Sequence, residues 1–339
     1  MNRNWLYTFS LTPGLVAIYG NLTGGFFAFG NVIFSLVFLA ISEWITKDFL
    51  SNDASEKDDF IPKFILILHI PLQLLSVASL FYGIYSEILT EYFIIGAALS
   101  TGLNSGSSAI IVSHEYIHRK VNYERMLGKL LLFSAGNLYF YIDHLKVHHK
   151  WVGTNKDHAT ARFGESLYAF FARSVSGQFL GAVNIEAQRL KAENKIPFGL
   201  ENYVIRQLVL QIIFLFCLYY FIGIIAVGAW IIQCFFANFL LEYVNYIQHY
   251  GLSRNENQRV TEEHSWQSDK FVSRFVLVDL SRHADHHYYA SKPYHTLKTY
   301  QNSPVLPTGY AGLFFIAVVP KLWFSIMNKK INEMNLSNN

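Results

Sequence analysis

Six apolar runs, each close to the length that crosses a bilayer, limit what this chain can fold into more than any other feature. A spanning helix needs about 20 mostly apolar residues, and the runs stand at 5–20, 25–45, 63–83, 92–113, 204–222 and 224–243. In lipid, backbone N–H and C=O groups must be satisfied within the segment itself, so runs of this length form helices. The predicted fold class is an all-α integral membrane protein of about six transmembrane helices, one domain over 1–339. Composition agrees, with 52% hydrophobic, 17% aromatic and only 15% charged residues. A formal net charge of +3 gives no footprint for nucleic acid. Cys217 and Cys234 both lie in apolar runs, which leaves neither a disulfide framework nor a CxxC metal knuckle. No cleavable signal peptide is expected, because the first run lacks a basic leader and a small-residue cleavage site.

The connections divide into two kinds. Those near residue 20, from 84 to 91 and at Gly223 are short and contain no Lys or Arg, whereas the N-terminus carries Arg3, the 46–62 segment is long and charged, and 114–203 is rich in both cations. Cytoplasmic loops collect Lys and Arg, so both termini and a helical cap of 114–203 and 249–310 are expected on the cytoplasmic face, for a bacterial chain that of the inner membrane. Trp5, Trp44 and Tyr92 sit where aromatic anchors of the interface belong.

This topology gathers histidines. HEYIHR carries His114 and His118 at the end of the fourth run, and four-residue spacing places them on one helical face. DHLKVHHKW adds His144, His148 and His149, NYIQHYGL adds His249 just past the sixth run, and HADHH adds His283, His286 and His287. HExxH alone fits a zinc peptidase. Nine imidazoles exceed the four or so ligands of one zinc ion, however, and fit a dinuclear site. Imidazole accepts iron, copper or zinc alike; oxidation of an unactivated C–H bond beside a membrane favours iron with open positions, since zinc is redox-inert.

HEYIHR, HLKVHH, NYIQHYGL and LSRHADHHYYASKPYHTLK resemble the four histidine motifs of the membrane-bound alkane and xylene monooxygenases, within the superfamily of integral-membrane fatty acid desaturases and hydroxylases. NYIQHYGL and the HADHH form favour the alkane and xylene branch over the desaturases. The resemblance implies two non-haem irons held by all nine histidines, O2 as cosubstrate, and electrons from a rubredoxin or ferredoxin with its reductase. It also implies a cytoplasm-facing site that hydroxylates the terminal carbon of an alkane or alkyl side chain drawn from membrane lipid. Gln248 stands where the family usually has Glu, and Asp143 where it often has Glu.

Glu115, Asp143, Gln248 and Asp285 adjoin the ligands and are expected to support them. Arg119, Lys120, Lys146 and Lys150 form a basic rim suited to an acidic electron carrier. His69, inside an apolar run, either serves function or bonds a neighbouring carbonyl; His158, His264 and His295 lie near the motifs without their spacing. Ser100, Asn104 and Ser107 fall on the side of His114 by helical period and are candidates for a substrate tunnel, although small residues also permit close helix packing. A fatty acyl desaturase or hydroxylase, and more remotely a zinc peptidase or a non-oxidative metal-binding protein, are the alternative functions.

Overall fold

The structure is a computed structural model that describes residues 3–52 and 60–337; the centre of the charged 46–62 connection, 53–59, lies outside the described residues. A 3-10 segment, Arg3–Leu11, leads into α1 (Thr12–Thr23), followed by α2 (Gly25–Ile45), α3 (Phe60–Tyr85), α4 (Phe93–Ile117), α5 (Asn122–Ser134), α6 (140–151) and α7 (Leu167–Ala192). Then come α8 (Tyr203–Phe221), α9 (Ile224–His249), the short α10 (Phe271–Val276) and α11 (His283–Tyr288), and finally α12 (Tyr310–Ala317) and α13 (Pro320–Ser337). Two isolated bridges, Asp48 with Lys270 and Gln267 with Val305, are the only β pairings among the described residues. The protein is all-α.

Five helices, α2, α3, α4, α8 and α9, are long and apolar enough to cross a membrane. The 5–20 run is helical but not one of them. A 3-10 segment, Arg3–Leu11, gives way within it to a helix of 12 residues, and Ser10 inside the run and Asn4 and Asn21 at its ends are buried. Asn21 donates to Ser79 Oγ (3.0 Å) and Thr101 Oγ1 (3.1 Å), tying α1 to α3 and α4. A sixth span arises only if α12 and α13 count as one broken helix, bent by 120°. Pro320 opens α13 and holds the residue before it away from helical geometry, which places the bend there.

The small residues of α4 let it press on α9. A Cβ at Gly102 would stand 2.7 Å from Gln233 O, and one at Gly106 2.9 Å from the Leu240 side chain. Polar side chains inside the bundle satisfy one another: Asn104 donates to Gln73, Gln73 to Ser105 and Ser105 to Gln233, each at 2.8 Å. His69 lies between Ser10 Oγ (2.8 Å) and Ser108 Oγ (2.5 Å), so its partners are hydroxyls of two other elements and not a carbonyl.

The cap is fastened to the bundle by two devices. The buried Glu242 carboxylate of α9 accepts hydrogen bonds from Ser174 Oγ (2.6 Å) and Gln178 Nε2 (2.8 Å) of α7. Tyr246, Tyr250, Trp266 and Trp323, all fully buried, pack together over the end of α9, and Trp266 Nε1 donates to Tyr250 O (2.9 Å). Both devices fix the direction in which α9 delivers its last residue, His249.

Candidate metal centre

Nine histidines meet where α4, α6, α9 and α11 end or begin. They form two groups: His114, His118, His144, His149 and His286 in one, His148, His249, His283 and His287 in the other, with each group's candidate ligand atoms within 4.8 Å of one another. No carboxylate belongs to either. Offsets of four and five residues fit His144, His148 and His149 to one face of an α-helix and its edge, but local backbone geometry separates them. His144–His148 is a turn of π-helix, in which residues five apart come into line. His144 and His149 therefore share a group, with Nε2 atoms 2.9 Å apart, while His148 joins the other. In α11, His283 and His287 are one α turn apart with Nε2 atoms at 2.8 Å, and His286 reaches across to His149 at 3.1 Å. Two short elements thus each supply both groups, which lie side by side; the His149 and His287 rings are 4.7 Å apart.

The donor set fits a pair of cations. Ligand atoms at right angles on a metal with bonds of about 2.1 Å stand about 3.0 Å apart, and the Nε2 separations of His118–His144, His118–His149, His144–His149 and His149–His286 are 2.9–3.1 Å. An imidazole nitrogen has one lone pair or one hydrogen, so five converging nitrogens cannot satisfy one another, whereas a central cation satisfies all of them. Nε2 of His114, His148 and His249 is buried without a hydrogen-bond partner. Burial first, then the charge of neighbouring imidazoles, holds His144, His149, His283, His286 and His287 well below the ordinary histidine value. Burial, with His148 and Arg119 nearby, lowers His118 to about 4. Neutral imidazoles keep the lone pairs that a metal requires.

The groups that orient these rings are not those the sequence singled out. Asp157 Oδ2 lies 2.9 Å from His148 Nδ1 and also accepts from Thr160 Oγ1 (2.6 Å), so His148 presents Nε2 to its group. His249 Nδ1 faces the His264 carbonyl at 3.3 Å. Asp157 sits in a loop outside any helical period, held by an Asx turn in which Ala159 N donates to Asp157 Oδ1 (3.0 Å). Of the four expected supports, none hydrogen-bonds a histidine of either group. Glu115 pairs with Arg119. Asp285 accepts from Lys292, from Lys298 N (2.7 Å) and from Tyr300 Oη (2.8 Å), pinning the following loop to α11. Asp143 is buried with both oxygens unpartnered, and burial together with the charges of Asp157 and Glu242 raises its carboxyl well above the usual range. Gln248 donates to Tyr310 Oη at 2.8 Å. His158, His264 and His295 belong to neither group.

Two cavities lead to the histidines. The outer one, about 620 Å³ with its mouth, has walls from α1, α2, α4, α9, α10 and α12, mostly aliphatic or aromatic, with the Glu43 carboxylate and two serines among them. The inner one touches His114, His144 and His283, and both share Gly106, Ile111 and Val244. Of the tunnel candidates, Ser107 lines the outer cavity. Ser100 and Asn104 do not: Ser100 Oγ donates to Ala28 O (2.6 Å) and Asn104 is bound to Gln73. The reason is a second π turn, Ser105–Ile110, which adds a residue to the helix and rotates everything before it, so that Leu103 replaces Asn104 on the cavity side.

The comparisons with known proteins agree with this geometry. The fatty acid desaturase family matches residues 91–317, which include all nine histidines. The chain is 36% identical over 242 residues to alkane 1-monooxygenase 1 of Pseudomonas aeruginosa, an alignment covering 70% of this chain and 63% of that protein. It is 34% identical over 276 residues to alkane 1-monooxygenase 1 of Alcanivorax borkumensis, covering 80% and 68%. The xylene/toluene monooxygenase hydroxylase component of Pseudomonas putida is 25% identical over 334 residues, covering 96% of this chain and 88% of that one. The chain belongs to the fatty acid desaturase family, in the group of the alkane 1-monooxygenases and the xylene monooxygenase hydroxylase component.

Proposed function

We propose that the protein is a membrane monooxygenase that inserts one oxygen atom from O2 into the terminal C–H bond of a linear alkane or alkyl side chain. The observation that carries this reading is that a largely apolar cavity adjoins a chamber lined by members of two histidine-only groups. Relatives named alkane 1-monooxygenase support the reaction class. His114, His118, His144, His149 and His286 would hold one iron, and His148, His249, His283 and His287 the other. When bound, the iron pair supplies reductive activation of O2 and an oxidant for the C–H bond, chemistry that zinc lacks.

The chain's own residues do the rest. Leu36, Leu39, Leu103, Leu240 and Phe314 offer a hydrocarbon an environment like the lipid it leaves, at about 0.8 kcal/mol per CH2 relative to water. Apart from the Tyr310 hydroxyl, the polar groups of this wall are bound internally: Ser35 to Asn31, Ser107 to Leu103 O, Tyr243 to Tyr310 O, and the Glu43 carboxylate to Ser273 Oγ and Gly312 N. A substrate therefore needs no polar handle. A chain passing from the outer cavity to the inner one by the shared Gly106, Ile111 and Val244 would present its end to the histidines, and positioning outweighs the greater strength of a terminal C–H bond. Electrons would come from a rubredoxin- or ferredoxin-type carrier, since Cys217 and Cys234 lie apart and hold no iron–sulfur centre within these residues. Only the five-histidine group has partly exposed members, His118 and His149, and Lys120, Lys146 and Lys150 are exposed beside them, which suits an acidic carrier arriving from the cytoplasm.

Cells that express the chain with a rubredoxin and its reductase are to be fed linear C6–C16 alkanes and their products separated by gas chromatography. 1-Alkanols are expected. Mid-chain alkenes or internal alcohols would overturn terminal hydroxylation, and modified membrane acyl chains with untouched alkanes would replace it with acyl-lipid oxidation.

A further inference from the structure

Around the two cavities, apart from the histidines, Gln248 and Tyr310 form a hydrogen-bonded pair with capacity left unused. Gln248 lines the inner chamber with His114, His144 and His283, and Tyr310 lines the outer one. Gln248 Nε2 donates to Tyr310 Oη at 2.8 Å. That bond orients the amide and leaves Gln248 Oε1 as an acceptor and the Tyr310 hydroxyl hydrogen as a donor, neither with a partner among the described residues. The pair is rigid. Tyr310 N donates to Ser273 Oγ (2.7 Å), Tyr310 O accepts from Tyr243 Oη (2.5 Å), and Gln248 O accepts from Trp266 N (2.8 Å). Both residues are almost completely buried.

A pure hydrocarbon uses neither group, and an unmet buried acceptor and donor each carry a desolvation cost. We propose that Gln248 and Tyr310 form a binding subsite for the hydroxyl of a primary alcohol, taking its O–H at Gln248 Oε1 and its oxygen at the Tyr310 hydroxyl. This rests on the hydroxylase reading above. Because Gln248 shares its chamber with three of the histidines, the oxygen it holds is the one on the carbon presented to them. The alcohol is therefore bound more tightly than the parent alkane, and its release is slowed by the same two side chains.

Equilibrium binding of radiolabelled 1-decanol and decane to the purified full-length holoprotein in lipid nanodiscs tests this. The expected result is that Gln248→Leu weakens 1-decanol about threefold to tenfold, the share of one hydrogen bond, without an equal loss of decane. Tyr310→Phe should lower the alcohol-to-alkane preference in the same direction, and Gln248→Glu, which keeps an acceptor, should restore most of it. An unchanged preference in both Gln248→Leu and Tyr310→Phe, or equal losses of the two ligands in both, overturns the subsite while leaving the hydroxylase reading in place. Wild-type protein that binds neither ligand defeats the hydrocarbon reading itself, and the subsite with it.

Discussion

Asp157 illustrates how much of the centre depends on a residue that coordinates nothing. Its carboxylate fixes which nitrogen of His148 faces the group, and removing such a partner typically costs 10–100-fold in metal affinity. Asp157→Ala is expected to lose iron to a chelator about that much more readily than the wild type, measured by competition dialysis; equal retention would show that packing alone orients His148. The neutral histidines set a pH dependence. In the unfolded chain His118 titrates near the ordinary 6.5, but in the folded protein burial lowers it to about 4. Above about 6.5 both states are neutral and stability does not respond. As pH falls from 6.5 towards 4 the unfolded state binds a proton that the folded state refuses, so stability falls through this window and levels off below it. Melting of the metal-free protein at pH 7 and pH 5 should show the lower value at pH 5, and His118→Gln should reduce the difference. The nine histidines were legible in the sequence because their spacing is local. Asp157 was not, because its contact depends on a loop folding back onto α6.

At the scale of elements, two π turns decide which residues face the site. In α6 the turn at His144–His148 sends His148 one way and His149 the other. Deleting Val147 would restore an ordinary α turn and rotate the following residues by about 100°. Iron content should then fall to about half, read by metal analysis, with the four remaining histidines of the first group unable to hold their ion as tightly. In α4 the turn at Ser105–Ile110 turns Ser100 and Asn104 into the bundle and leaves Ser107 on the cavity. Ser107→Phe should shorten the longest alkane accepted, seen in the chromatographic product profile. Ser100→Phe should instead lower the melting temperature with no consistent change in chain length, because it displaces a packed side chain.

Across the whole molecule the centre is a clasp. α4, α6, α9 and α11 each contribute histidines to the two groups, so a bound metal would join the bundle to the cap in addition to the Glu242 bonds and the aromatic cluster. A ligand that binds only the folded state adds RT ln(1 + [L]/Kd), about 4 kcal/mol at a thousandfold excess over Kd. Stripping metal should therefore lower the melting temperature by several degrees and first loosen α6 and α11 in hydrogen exchange, while α3 and α8, which supply no ligand, stay protected. Uniform loss of protection would mean that cap and bundle unfold as one unit.

The sequence by itself determined the fold class, four of the five long spans to within a few residues at each end, and the nine histidines. These follow from local rules: run length, backbone satisfaction in lipid and one-turn spacing. It read the 5–20 run as one span where the structure has a 3-10 segment followed by a 12-residue helix, because length and apolar content do not reveal that break. Only the tertiary structure decided how the histidines divide into five and four, because that division is set by one extra residue in a turn. The same is true of the tunnel wall and of Asp157, Gln248 and Tyr310. Each of these depends on a rotation or a contact between elements far apart in the chain, and no periodicity in the sequence carries that information.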